Sequence, residues 1–190
     1  MKTYVSQYLQ QQKTALEAIP VEQVSELIGL FKKALDEDRQ IFVFGNGGSG
    51  TNASHFVTDL GKSASDKMYR RFRCFSLSDN VSWITAIGND YIYDDVFLRQ
   101  LQNYARPGDL VLVMSVSGNS PNIVKAIKWC KENKIHTIAL IGGHKGTLAQ
   151  LADHVIAIND THYGRVEDCH MHICHMICYA FIEREDLQKQ

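Results

Sequence analysis

The chain has 190 residues, a net charge of −1 and 45% hydrophobic residues, which suits one globular domain with a full core. Near-neutral charge excludes a broad electrostatic footprint for nucleic acid or an anionic membrane, and no apolar run reaches membrane-spanning length. The N-terminus is polar rather than signal-like, and five cysteines are an odd number without disulfide-framework spacing, so a cytoplasmic chain with reduced thiols is expected.

Residues 3–18 place Tyr4, Tyr8, Leu9 and Leu16 in a polar, Gln-rich background and read as an amphipathic helix that Pro20 interrupts. Residues 21–37 repeat Val24, Leu27, Ile28, Leu30, Phe31 and Leu35 with a helical period. These two helices are expected to cap a sheet or to pack against another subunit. The apolar run Ile41-Phe42-Val43-Phe44 then ends in Gly45-Asn46-Gly47-Gly48-Ser49-Gly50, and a helix follows over 50–61. Residues 62–73, with Lys67, Arg70 and Arg71, read as a mobile surface loop.

A second strand is predicted over 72–77, then helix-capping Ser78-Asp79-Asn80 and a short helix over 81–87. Gly88-Asn89-Asp90 is expected to break that helix before another over 91–104. Pro107-Gly108-Asp109 forms a turn, and Leu110-Val111-Leu112-Val113-Met114 is apolar enough for burial on both faces. After Ser115-Val116-Ser117-Gly118-Asn119-Ser120 a helix runs over 121–132, with Pro121 in its first turn. Strands over 136–141 and 154–158 and a long helix over 165–185 complete the chain. Strands alternating with helices predict a single-domain α/β fold over 1–190, a parallel sheet flanked by helices.

Two of the strand-to-helix connections have the makings of an anion site. Glycines let the backbone approach a ligand, and the first-turn N–H groups and helix dipole face negative charge. The first loop lacks the Lys-Ser or Lys-Thr of a Walker motif and does not fit the dinucleotide fingerprint. A phosphate on something smaller than a nucleotide is therefore expected. Strand C-terminal ends share one sheet edge, so Asn46, Gly47, Gly48 and Ser49 are predicted to share a pocket with Ser115, Ser117, Asn119 and Ser120.

His55 and Asp59 lie four apart on the helix leaving the first loop, and Glu167 and His175 lie eight apart on the last helix; each pair shares roughly one helix face. Two imidazoles and two carboxylates suit a divalent metal such as Zn²⁺ and equally suit acid–base chemistry; spacing alone does not bring the helices together. Cys169, Cys174 and Cys178 are read as buried packing residues, because Cys-x4-Cys-x3-Cys scatters thiols around a helix.

Gly45-Asn46-Gly47-Gly48-Ser49, His55-Phe56, Gly88-Asn89-Asp90 and Ser115-Val116-Ser117-Gly118-Asn119-Ser120 resemble the SIS (sugar isomerase) family, and within it the phosphoheptose isomerase branch. The resemblance covers nearly the whole chain. It implies a flavodoxin-like sheet, a homotetramer with active sites between subunits, and conversion of sedoheptulose 7-phosphate to D-glycero-D-manno-heptose 7-phosphate. It implies phosphate held by Ser49, Ser115, Ser117 and Ser120, with Asn46 and Asp90 near the sugar. It further implies a base at Asp59, an acid at His175, and zinc ligands at His55, Asp59, Glu167 and His175. The sequence departs from the family pattern in three places: Asp59 stands for the usual Glu, Glu167 for Gln, and Val116 for Thr. A second carboxylate at 167 implies tighter zinc binding than the family norm. A non-catalytic sugar-phosphate-binding regulator, or a tetrameric scaffold like the relatives that bind a replication initiator, stays open as the alternative.

Overall fold

The computed structural model describes residues 1–189; the last position of the predicted 1–190 domain lies outside the described residues. Five short runs form strands β1 (Gln40–Gly45), β2 (Arg73–Ser76), β3 (Leu110–Ser115), β4 (His136–Ile141) and β5 (His154–Ala157). All pair in parallel, in the order β2-β1-β3-β4-β5. Side chains alternate across each strand. Ile41, Val43, Leu112, Met114, Ile138 and Leu140 thus build one core, while Phe42, Phe44, Val111, Val113, Ala139 and Ile141 build a second on the opposite face.

The first core is covered by α1 (Lys2–Glu17), α2 (Val21–Asp36), α3 (Gly47–Thr58) and the long α8 (Tyr163–Glu183). The second is covered by α4 (Val81–Asp90), α5 (Leu98–Tyr104), α6 (Pro121–Glu132) and the short α7 (Leu148–Leu151). A short α9 (Glu185–Gln188) follows α8. No described helix is long and apolar enough to cross a membrane. Chain direction across the sheet reverses between β1 and β3, which leaves a crevice at their C-terminal ends. The two glycine- and serine-rich loops leave those two strands.

The N-terminal helices pack on α8 within the chain, where Gln12 Nε2 donates to the Arg165 carbonyl at 3.4 Å. Four expectations are corrected. Residues 62–73 are not a mobile loop: a π-helical turn spans Asp59–Ala64, and Leu60, Ala64, Met68 and Phe72 are buried in the first core. Their four-residue spacing is a helical period hidden among charges. The Ser65 hydroxyl locks the segment, donating to the Leu60 carbonyl at 2.9 Å and accepting the Phe72 N–H at 3.0 Å. Gly88 and Asn89 do not break α4, which runs two residues past Gly88 and ends at Asp90; an interior glycine weakens a helix by about 1 kcal/mol and need not stop it. Residues 91–104 are not one helix, because a 3-10 turn over Tyr93–Asp95 precedes α5 and buries Val96 and Phe97. The closing helix begins and ends two residues earlier than the 165–185 expected.

Asn80 caps α4 as expected, its Oδ1 accepting the Trp83 N–H at 3.0 Å. Asn80→Ala is expected to lower stability by about 1 kcal/mol, read as a reduced urea midpoint at unchanged m-value.

Candidate active site

β1 ends at Gly45, where a Cβ would lie 2.9 Å from the Met114 carbonyl, so the neighbouring strand excludes any larger residue. Asn46 is extended, and Gly47 turns through a left-handed φ of +54° into α3. The hydroxyls of the second loop meet this turn. Asn46, Ser49, Ser115, Ser117 and Ser120 line one cavity of about 70 Å³, closed by Tyr163 and Glu167. Ser115 accepts the Gly118 N–H and Ser117 accepts the Asn119 N–H, both at 3.2 Å. Among the described residues, the hydroxyls of Ser49 and Ser120 have no protein partner and are free to donate.

Not every predicted ligand residue reaches this cavity. The Asn119 side-chain oxygen accepts the Thr147 N–H at 2.7 Å and its hydroxyl at 2.8 Å, so Asn119 braces the loop rather than lining the pocket. Gly118, at φ +64°, is pressed against the Lys145 carbonyl and completes that brace. Asp90 is exposed at the end of α4, paired with Asn89 Nδ2 at 2.8 Å, and lies outside the cavity lining. Gly47 lines a second, adjoining cavity of about 300 Å³ with Asn46, Thr51, Ser54, Ser78 and Tyr93.

α3 and α8 lie side by side and run the same way. Gly48 faces the Glu167 carboxylate so closely that a Cβ there would overlap it. One turn on, Asn52 Nδ2 donates to the Glu167 carbonyl at 2.9 Å. At the far end Asp59 Oδ2 stands 3.3 Å from His55 Nε2 and 3.6 Å from His175 Nε2. The two imidazole rings meet edge to face at 5.1 Å. One donor atom from each of these three residues lies within 4.8 Å of the others. Tetrahedral zinc with bonds of about 2.0–2.1 Å needs donors roughly 3.3 Å apart, and three protein ligands with one open position is the usual catalytic set. The trio fits that requirement. Its solvent-facing setting, with half the His55 side chain exposed, leaves the open position accessible.

Glu167 does not join this group within the chain, contrary to the four-ligand expectation. Eight residues of helix separate it from His175, about 12 Å, and its carboxylate turns toward the bare Cα of Gly48 instead. Burial, and then the neighbouring Asp168, push its carboxyl above the ordinary range. Within one chain the trio therefore has a single carboxylate. The cysteines behave as packing residues: Cys169, Cys174 and Cys178 are buried, and burial raises all three thiols, with Asp59 adding to the effect at Cys174 and Cys178.

Three features of the site went unread in the sequence. Asp59 opens the π-helical turn, a local widening of the helix that recurs at functional positions. Tyr93 and Asn122 both hydrogen-bond Asn46, and only the Pro121-Asn122 placement just inside a helix start hinted at the latter.

A family model described as SIS domain matches residues 4–142. The chain is 36% identical over 177 residues to a probable phosphoheptose isomerase of Thermoplasma acidophilum, covering 93% of this chain and 97% of that one. It is 37% identical over 156 residues to the phosphoheptose isomerase of Geotalea daltonii, covering 82% of this chain and 80% of that one. Among solved structures, phosphoheptose isomerase from Neisseria gonorrhoeae superposes with a TM-score of 0.87 at 30% identity, covering 95% of this chain and 97% of that one. Similarity of this extent, over a crevice furnished with hydroxyls and an acid–imidazole group, makes the chain a member of the SIS-domain family, in its phosphoheptose isomerase branch.

Proposed function

We propose that the chain interconverts sedoheptulose 7-phosphate and D-glycero-D-manno-heptose 7-phosphate, in the cytoplasm, through a cis-enediol. The observation that carries this reading is the Asp59 carboxylate held between two imidazoles on the helix that leaves the hydroxyl-lined cavity. Ser49, Ser115, Ser117 and Ser120 would bind the phosphate, helped by the N-terminus of α3, with Asn46 and the glycine turn beside the sugar. Asp59 would remove a proton from C1, next to the C2 carbonyl, while His175 delivers a proton to the carbonyl oxygen. Return of a proton to C2 and loss of the O1 proton complete the aldehyde, so no net proton is consumed. Oδ2 of Asp59 faces the imidazoles, which leaves Oδ1 for the substrate carbon.

His55, Asp59 and His175 would hold Zn²⁺, His175 through one ring nitrogen so that the N–H of the other stays available as the acid. The ion, when bound, supplies Lewis-acid polarisation of the carbonyl and enediol oxygens. Ten residues of helix separate Ser49 from Asp59, about 15 Å along the axis, so one chain carries its phosphate cavity and its acid–imidazole group at opposite ends of α3. A homotetramer in which one subunit's group lies beside another subunit's cavity shortens that span, and we infer that arrangement. Asp90, outside the cavity lining within its own chain, is assigned to the same inter-subunit site.

Incubation with sedoheptulose 7-phosphate in heavy water tests the reaction. Deuterium is expected to enter C1 with wild-type protein and not with Asp59→Asn. Binding without exchange in the wild type would replace the isomerase with a sugar-phosphate-binding protein.

A further inference from the structure

Asn46 sits on the wall between the two cavities and lines both, and its amide is wired in one direction only. The starting point is Asn122, 1% exposed near the start of α6. Its Oδ1 lies 3.0 Å from the backbone N of Ile123. A backbone N–H can only donate, so the atom facing it is the Asn122 oxygen and not its nitrogen. That choice propagates. Asn46 Nδ2 donates to the same Asn122 oxygen at 3.0 Å, and Asn122 Nδ2 donates back to Asn46 Oδ1 at 2.8 Å. The Tyr93 hydroxyl supplies a second donor to Asn46 Oδ1 at 3.2 Å.

The two donors occupy the acceptor capacity of the Asn46 oxygen, while one hydrogen on its nitrogen has no protein partner among the described residues. Turning the Asn46 amide over would set its NH₂ against that of Asn122 and its oxygen against the Asn122 oxygen. Both contacts would be repulsive.

We infer that Asn122 and Tyr93 are positioning residues that hold Asn46 as an obligate hydrogen-bond donor, so that it reads an acceptor oxygen of the sugar phosphate. Neither need touch substrate; each acts through the Asn46 amide. The inference rests on the proposed isomerase reading for the identity of the ligand, and on the hydrogen-bond network for its direction.

Asn122→Asp tests it with almost no change of shape. Aspartate still accepts from Ile123 and from Asn46 Nδ2, but its second oxygen now faces Asn46 Oδ1 and frees that amide to rotate. KM for sedoheptulose 7-phosphate is expected to rise about tenfold, the worth of one oriented hydrogen bond, with a smaller change in kcat. Tyr93→Phe, on a half-exposed side chain, removes the weaker support and is expected to raise KM about threefold in the same sense. Asn46→Asp, which cannot donate at all, should exceed both. Wild-type KM in Asn122→Asp and Tyr93→Phe overturns the inference, as does a loss confined to kcat. If Asn122→Asp does not fold, Tyr93→Phe decides alone. If the wild type turns over no heptose phosphate, the isomerase reading fails, and calorimetric affinities for sedoheptulose 7-phosphate in the same variants decide the wiring.

Discussion

Asp59→Asn is expected to lower kcat/KM for sedoheptulose 7-phosphate by about 10²–10⁴-fold, the usual worth of a positioned acid–base group, while leaving the thermal midpoint of the metal-free protein nearly unchanged. Asparagine matches aspartate in shape but cannot take up a proton from carbon. Only about a quarter of the Asp59 side chain is exposed, yet Oδ2 faces only the two imidazoles, so the amide can sit in the same place. The substitution is also expected to release zinc, because a neutral amide replaces the trio's one anionic ligand; elemental analysis of the purified variant reads this separately from turnover. Asp59→Glu provides the contrast. It keeps the charge and lengthens the reach by one methylene, and activity within about a hundredfold of wild type is expected, since misplacing a group by 1 Å costs up to about that much. Should Asp59→Asn retain kcat/KM within tenfold, Asp59 does not act on the substrate.

Lowering the pH from 6.5 to 4 is expected to cost the wild-type fold about 3 kcal/mol that a His170→Leu variant does not lose. His170 is fully buried on α8, and neither ring nitrogen has a well-formed hydrogen bond, the Ile141 carbonyl being its one weak polar neighbour. Burial disfavours the imidazolium and holds its pKa down to about 4, against an ordinary 6.5, with only the Ile141 carbonyl acting the other way. Between those values the unfolded chain binds a proton that the folded chain does not. Stability from this residue is therefore complete above pH 6.5 and is lost progressively down to pH 4. At about 1.4 kcal/mol per pKa unit the depression amounts to roughly 3 kcal/mol. Asp95, Asp153 and Asp160 also have carboxyls held below their ordinary value, Asp95 and Asp160 chiefly by their Lys125 and Arg165 partners and Asp153 by hydrogen bonds from Thr137 and Lys131 that outweigh its burial. Their loss comes at lower pH and is common to both proteins. Urea titrations at intervals from pH 4 to 7.5 isolate the difference, and parallel pH slopes in wild type and variant would refute the assignment to His170.

The parallel sheet was readable because its strands are continuous apolar runs such as Leu110-Val111-Leu112-Val113, which only burial on both faces explains. The hydroxyl cavity was readable because two glycine- and serine-rich loops follow two buried strands whose C-terminal ends are bound to share an edge. Helix 121–132 and strand 136–141 fell where the sequence placed them. The anchoring of residues 60–72 was not read, because Leu60, Ala64, Met68 and Phe72 are separated by lysines and arginines whose charged ends reach solvent while the backbone turns inward.

The sequence by itself determined the architecture, the crevice and the residue types available there, since periodicity and turn chemistry are local properties of the chain. Only the tertiary structure decided which of those residues meet. It joined His55 and Asp59 to His175, turned Glu167 away toward Gly48, and set Asn122 behind Asn46. Those contacts depend on the depth and register at which α3 packs against α8 and α6 against the first loop. Such register is fixed by the fit of many side chains across a long-range interface, and no spacing within either segment encodes it.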